Sequence, residues 1–87
     1  MDIFEAARKG DITFIKDYKG DVNAVTKDGW TALMYAASEG QMSMVRALIA
    51  ANANVNIIDE NGNTALSFSI LYKHSGITNL LKTAGAK

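Results

Sequence analysis

The sequence has no cysteine and a single histidine, His74. These two shortages exclude disulfide, thiol and zinc-dependent chemistry. Without cysteine, the chain has neither a disulfide framework nor a thiol nucleophile. A zinc site needs several His, Cys or carboxylate ligands at defined spacing, and no second histidine or H-E-x-x-H pattern accompanies His74. We therefore predict no metal site and no cofactor, and we expect His74 to be structural or solvent-facing.

Catalytic motifs are missing as well. The seven glycines form neither G-x-G-x-x-G nor a P-loop, and no serine lies in a nucleophile elbow. Asp28 and the pair Asp59-Glu60 lack the spacing of an EF-hand, so we assign these carboxylates to local hydrogen bonding in turns. The sequence therefore predicts a protein that is not an enzyme.

An excess of one charge and long apolar segments are also absent. Nine Lys and Arg residues balance nine Asp and Glu residues, so no basic surface for nucleic acid is predicted. No apolar run approaches the roughly 18 residues that span a bilayer. The start of the chain lacks the basic and then apolar pattern of a signal peptide. We expect no membrane partner and a cytoplasmic location. A leader peptide that had already been removed would leave no trace in this sequence.

What the sequence does contain is an internal repeat. The chain has 87 residues, of which 48% are hydrophobic, as expected for one folded domain over residues 1–87. The segment 29–33, Gly-Trp-Thr-Ala-Leu, returns 33 residues later at 62–66 as Gly-Asn-Thr-Ala-Leu. A fixed period of this length is typical of stacked repeats, in which each unit buries its apolar face against the next.

The residues of the central unit fit a known pattern in register: Gly29, Thr31, Leu33, Ala36, Ala37, Gly40, Val45, Leu48, Ala53, Val55 and Asn56. The unit resembles an ankyrin repeat. It departs from the family where Ala32 and Ala65 replace proline, and where Met34 and Ser67 replace histidine.

The resemblance implies an all-α fold, an ankyrin repeat solenoid of three stacked helix–turn–helix units with short hairpin-like loops. We divide the chain into an N-terminal cap repeat at 1–25, a full repeat at 26–58 and a C-terminal cap repeat at 59–87. The first repeat is shorter than the second by about three residues, because Gly10 and Gly40 are 30 residues apart whereas Asn23 and Asn56 are 33 apart.

Helix starts are predicted at side chains that accept hydrogen bonds from free backbone amides. Thr31 and Thr64 are expected to cap the first helices of their repeats, and Asp11 and Ser75 to cap second helices.

Two other residues are expected to mark helix ends. Asn52 occupies the place of the family's glycine, and asparagine tolerates a left-handed backbone. Lys73 also replaces glycine, which predicts either mild backbone strain or a different turn.

The resemblance implies that the chain binds a partner protein through its loop tips and the concave face of its inner helices, as an inhibitor, immunity factor or adaptor. Carried over position by position, the contact residues are Lys27, Asp28, Trp30, Ser38, Glu39, Ile58, Glu60, Asn61, Asn63, Leu71 and Tyr72.

Trp30 is expected to be the main anchor, with its side chain at a loop tip, because tryptophan is enriched among binding hot spots. The alternative is that Trp30 folds over the neighbouring loop and only shields it. Leu71 and Tyr72 are expected to form an apolar patch with Trp30, or else to repair packing in a divergent cap.

Two other interpretations stay open. The chain is expected to be a monomer, but a homodimer built by a self-associating repeat protein is the alternative. The sequence could also be part of a longer repeat array. The polar residues Thr78 and Lys82, which replace apolar residues of the full repeat, favour a closing cap instead.

Overall fold

The structure, a computed structural model, describes residues 1–87. It contains six α-helices and no strand beyond an isolated bridge between Val25 and Thr31. The helices are α1 Ile3–Lys9, α2 Ile12–Lys16, α3 Ala32–Glu39, α4 Met42–Ala50, α5 Ala65–Leu71 and α6 Ser75–Thr83. The prediction of three helix–turn–helix units in an all-α fold is therefore confirmed.

The first helix of each unit begins at a side-chain cap. The carboxylate of Asp2 accepts a hydrogen bond from the Glu5 amide at 2.9 Å. Thr31 and Thr64 accept in the same way from amides three residues on, at 3.2 and 3.1 Å. Both threonine caps are thus confirmed, and each satisfies one of the amides that a helix start leaves without an intrahelical partner.

The second helix of each unit begins without such a cap, contrary to expectation. Ser75 is the first residue of α6, and the cap position before it belongs to His74, whose side chain makes no capping bond. Asp11 does stand at the cap of α2, but its carboxylate accepts from the Thr13 hydroxyl at 2.6 Å instead of from a backbone amide. The prediction for Ser75 was wrong by one position, because the turn before α6 is closed through the backbone of His74.

Left-handed residues end the first helix of every unit. Gly10 and Gly40 have φ of 77° and 75°, and Lys73 stands at the equivalent place with φ of 62°. Asn52 ends α4 with φ of 67°, as predicted. Lys73 therefore keeps the turn of the other repeats and accepts a backbone conformation that L-residues other than Gly, Asn and Asp seldom adopt.

Neighbouring repeats explain why glycine is kept at two of these positions and not at the third. A Cβ on Gly10 would lie 2.5 Å from Oε1 of Gln41, and one on Gly40 would lie 2.8 Å from Cε1 of His74. Lys73 is exposed, so only its backbone angle is unfavourable. The next repeat thus packs over the turns at Gly10 and Gly40, and most rigidly at Gly40, where the contact is a ring instead of the end of a flexible side chain.

The six helices form two layers. The inner helices α1, α3 and α5 pack side by side, and the outer helices α2, α4 and α6 pack behind them. The buried core runs through all three units and includes Met44, which the helical pattern placed inside. Its largest fully buried side chains are Met34, Met44, Leu48, Ile77, Leu81 and Val45.

Polar contacts join the repeats beside this core. The side-chain amide of Gln41 donates to the Arg8 carbonyl at 2.9 Å. One period later, Nε2 of His74 donates to the Ser38 carbonyl at 3.1 Å. The structural role expected for His74 is therefore the one it has: it satisfies a carbonyl near the end of α3.

The end of the third repeat is closed by hydroxyl groups. Ser69 and Thr78 stand where the middle repeat has the fully buried Ala36 and Val45. Their hydroxyl oxygens lie 2.7 Å apart, so that one hydroxyl donates to the other. The Ser69 and Thr78 hydroxyls also lie 2.7 and 3.2 Å from the carbonyls of Leu66 and His74. A hydroxyl pair therefore replaces an apolar pair between α5 and α6 of the third repeat, while Ile70, the equivalent of the fully buried Ala37, is 56% exposed.

Candidate protein-binding surface

Two loops project from the same edge of the stack, and each is organised by one polar residue. In loop 22–31 the hydroxyl of Thr26 accepts from the amides of Asp28 and Trp30 at 3.3 and 3.2 Å. In loop 55–64 the carboxylate of Asp59 accepts from the amides of Asn61 and Asn63 at 2.9 and 2.8 Å. Thr26 and Asp59 are 33 residues apart, so the same repeat position organises both loops through the same kind of hydrogen bonds.

The loops are also joined to each other. The amide of Glu60 donates to the Asp28 carbonyl at 3.1 Å. Asp59 is only 5% exposed, and its second carboxylate oxygen has no hydrogen-bond partner. The assignment of the Asp59 carboxylate to local hydrogen bonding is confirmed, whereas its burial between the loops was not predicted.

The side chain of Trp30 does not lie at a loop tip. Its ring packs between two others, 4.8 Å from the Tyr35 ring and 4.4 Å from the Phe68 ring. The residue is partly buried against the core. The expected position was wrong because the loop turns the indole inward, where it covers two inner helices.

Aromatic rings form a continuous row across the three inner helices. Phe4 of α1 lies 6.0 Å from Tyr35 of α3, measured between ring centroids. Trp30 then bridges Tyr35 to Phe68 of α5. We call Phe4, Tyr35, Trp30 and Phe68 the aromatic row. Of these residues the sequence prediction included only Trp30, although the spacing of 33 residues between Tyr35 and Phe68 was a usable signal.

Most of the other predicted contact residues are exposed. Ile58, Leu71 and Tyr72 are 63%, 64% and 52% exposed. Leu71 and Tyr72 follow Phe68 at the end of α5, and their exposure excludes the alternative that they repair packing. The exposed charged and polar members of the set are Lys27, Asp28, Glu39, Glu60 and Asn61.

Besides Trp30, two predicted contact residues are partly buried, Ser38 and Asn63. The backbone of Asn63 holds loop 55–64 together, because its carbonyl accepts from the Asp59 amide at 2.9 Å. The hydroxyl oxygen of Ser38 is enclosed and has no hydrogen-bond partner. These two residues therefore present less side chain to a partner than the exposed members do.

A cleft of about 350 Å³ opens beside the aromatic row, between α1 and α3. Phe4 and Tyr35 are its aromatic walls. Its other lining residues are Asp2, Glu5, Arg8 and Thr26. The Lys9 ammonium, hydrogen-bonded to the Glu5 carboxylate at 3.0 Å, lowers the pKa of that carboxyl. The cleft therefore combines an aromatic wall with polar groups whose charges are largely balanced.

The structure offers no group of three or more His, Cys, Asp or Glu residues that could hold a metal ion. None of its helices is both long and apolar enough to cross a bilayer. The arrangement of rings, loops and exposed side chains is suited to contact with another macromolecule.

Comparison with known proteins identifies the repeats. The family described as "Ankyrin repeats (3 copies)" matches residues 3–87. The human NAD-capped RNA hydrolase NUDT12 is 36% identical over 63 residues, which cover 72% of this chain and 14% of that protein. The ankyrin repeat protein nuc-2 of Neurospora crassa is 34% identical over 74 residues, covering 84% of this chain and 7% of the relative. The chain thus spans a small part of the length of these relatives.

Solved structures share the fold over nearly the whole chain. The human ASB11 ankyrin repeat domain matches with a TM-score of 0.92 and 28% identity, covering all of this chain and 41% of the other. A chain from the structure of the Bd0816 predatory endopeptidase of Bdellovibrio bacteriovorus in complex with immunity protein Bd3460 matches with a TM-score of 0.90 and 31% identity. That match covers 98% of this chain and 46% of the other. Ankyrin repeats are in general protein–protein interaction modules, and by its sequence and its fold this chain belongs to the ankyrin repeat family.

Proposed function

We propose that the chain binds a folded partner protein on the concave surface formed by the aromatic row, the two loops and the exposed end of α5. The observation that carries this proposal is the aromatic row, in which the partly exposed Phe4, Trp30 and Tyr35 lead to the buried Phe68 of α5. The same helix ends at the exposed Leu71 and Tyr72. Aromatic residues dominate binding energy at protein interfaces, and clustered exposed apolar side chains mark such interfaces.

Charged residues surround this surface without giving it one sign. Lys27, Asp28 and Glu60 are exposed on the loops, and Glu39 is exposed at the end of α3. Charges at the rim of an interface guide association and select among partners more than they add affinity. We therefore assign affinity to the apolar residues and partner choice to these four charges.

Within this function, we propose that binding blocks the partner, as an inhibitor or immunity protein would. Blocking needs a rigid surface and no catalytic group, and the backbone of this chain is fixed by loop-to-loop and repeat-to-repeat hydrogen bonds. Support also comes from the similarity to a chain of the endopeptidase–immunity protein complex.

Self-association is a second candidate function. Ile70, Leu71 and Tyr72 are consecutive and 56%, 64% and 52% exposed. Three adjacent exposed apolar residues at the end of a helix could pair with the same residues of a second copy about a two-fold axis.

The test is capture of a partner from native cell extract by wild type and two variants. Leu71→Asp/Tyr72→Asp places two negative charges on the proposed surface, and Ser43→Asp/Asn79→Asp places the same two charges on exposed residues of the outer helices. We expect wild type and the outer variant to enrich the same partner, and the inner variant to lose it.

Two other results would change the proposal. Loss of the partner only in the outer variant would contradict binding on the concave surface. Recovery of additional copies of the chain alone, with a mass that depends on concentration in light scattering, would replace partner binding by self-association. When a partner is captured and is an enzyme, its activity with and without this chain distinguishes an inhibitor from an adaptor.

A further inference from the structure

The cleft between α1 and α3 has an equivalent one repeat further along the chain. Glu5, Tyr35 and Phe68 each stand five residues before the left-handed residue that ends their helix. The space between Glu5 and Tyr35 therefore corresponds to the space between Tyr35 and Phe68. The two spaces differ in whether a side chain of this protein fills them.

The second of these spaces is filled by the protein itself. The indole of Trp30 lies there, in contact with the rings of Tyr35 and Phe68 at 4.8 and 4.4 Å. Trp30 directly precedes Thr31, the cap of α3. The Trp30 side chain reaches this space because loop 22–31 ends beside the rings of Tyr35 and Phe68.

The first space is open. The residue that directly precedes the cap of α1 is Met1, which is 63% exposed and does not line the cleft. The cleft keeps a volume of about 350 Å³. Phe4 and Tyr35 line it as neighbours that contact each other, with ring centroids 6.0 Å apart. It is therefore an aromatic-walled site without the indole that its equivalent contains.

The charges around the cleft favour a neutral occupant. Asp2 and Glu5 contribute two carboxylates, while Arg8 in the lining and Lys9 on Glu5 contribute two cations. An additional cation would face Arg8, and an additional anion would face both carboxylates. A neutral aromatic ring suits this balance, because its positive edge can face a carboxylate while its face contacts other rings.

We propose that this cleft is an anchor pocket for one tryptophan or tyrosine side chain of a partner protein, bound as Trp30 is bound one repeat along. The proposal rests on the proposed function, since the cleft belongs to the same concave surface. It adds the kind of residue that the partner must present and the place where that residue inserts. Aromatic side chains that insert into pockets of a partner are typical of binding hot spots.

The test uses small probes, so that it does not depend on knowing the partner. Isotope-labelled protein is titrated with N-acetyl-L-tryptophanamide, and its backbone amides are followed by NMR. The same titration is made with the leucine and arginine amides. We expect saturable shifts centred on Glu5, Thr26 and Tyr35 with the tryptophan probe, and clearly smaller shifts with the other two. Absence of these shifts, or equal shifts with the leucine or arginine probe, would overturn the proposal.

A variant that fills the cleft from within provides the second measurement. Met1→Trp, made with an additional initiating methionine, places an indole directly before the cap of α1, as Trp30 directly precedes the cap of α3. Because a tethered ring competes at high effective concentration, we expect the tryptophan probe to bind at least roughly tenfold more weakly. Asn79→Trp is the matched control, since it adds an indole at an exposed residue of the outer helix α6 and leaves the cleft open. Equal probe binding by Met1→Trp and wild type would contradict the assignment.

The outcomes of the two tests separate the two proposals. Capture of a partner, with no response to the tryptophan probe, would contradict the anchor-pocket proposal and support the proposed binding function. A saturable response in the cleft, together with capture of no partner from native extract, would support the anchor pocket and contradict the proposed binding of a partner protein. The wild-type titration tests the anchor pocket even if the Met1→Trp variant does not fold.

Discussion

The side-chain oxygen of Asn23 accepts a hydrogen bond from the backbone amide of Asn54 at 2.7 Å, and so joins the ends of the first two repeats. One period later the contact is repeated: Asn56 accepts from the amide of Lys87 at 3.0 Å. Asn56 also donates to the Gly85 carbonyl at 3.2 Å. These asparagines therefore fix the spacing between successive turns, which in turn fixes the spacing of the loops on the binding surface.

Replacing Asn23 with alanine should lower the free energy of unfolding by about 0.5–1.5 kcal/mol, the usual net value of one hydrogen bond. Denaturant unfolding followed by far-UV circular dichroism measures the change. Asn79→Ala, at an exposed site in α6, is the control and should change stability by less than about 0.5 kcal/mol. Equal effects at the two sites would show that the Asn23 contact contributes nothing.

Gly40 should not tolerate a side chain. Gly40→Ala forces a left-handed alanine and places its Cβ 2.8 Å from the His74 ring. We expect a loss of about 2–4 kcal/mol from the backbone conformation and overpacking together. Gly62→Ala is the matched control, because Gly62 has φ of 83° but no atom within 4 Å of the added Cβ. It should lose only about 1–2 kcal/mol, and a loss as large as at Gly40 would argue against the contact with His74.

Lys73 offers a change in the opposite direction. Its φ of 62° suits glycine, so Lys73→Gly should stabilise the protein by about 0.5–1 kcal/mol. Thermal unfolding should show a higher midpoint. The same replacement at Lys82, inside α6, should instead destabilise by about 1 kcal/mol because glycine is a poor helix former. A lower midpoint for Lys73→Gly would mean that the lysine side chain contributes more than its backbone strain costs.

Trp30 should affect stability as well as binding. Because its ring covers Tyr35 and Phe68, Trp30→Ala should cost about 2–3 kcal/mol, less than for a fully buried tryptophan. Tyr72→Ala, at a 52% exposed residue, should cost less than about 0.5 kcal/mol. Circular dichroism is the suitable probe, since Trp30 is the only tryptophan. Unchanged stability of Trp30→Ala would place its ring away from these neighbours.

The repeat period predicted a stack of similar units, and the resemblance to ankyrin repeats predicted that each unit is a helix–turn–helix. It also located the caps Thr31 and Thr64 and the left-handed Asn52. The cap expected at Ser75 failed by one residue because the backbone geometry at His74, rather than a side chain, starts α6.

The proposed binding surface was harder to predict, because it depends on how side chains of different repeats meet. Trp30 follows a loop glycine, which indicated exposure, yet its indole turns toward Phe68, 38 residues away in sequence. The open cleft at Phe4 exists because the residue preceding the α1 cap does not cover it. Neither fact follows from local pattern, since both require the distance between adjacent inner helices.

Hydrogen–deuterium exchange of the chain, free and in complex with its captured partner, tests binding on the concave surface most directly. We expect binding to slow exchange in loops 22–31 and 55–64 and at the ends of α3 and α5. Exchange in the outer helices α2, α4 and α6 should stay the same. Protection confined to the outer helices, with unchanged loops, would contradict the proposed surface and place the partner on the opposite face.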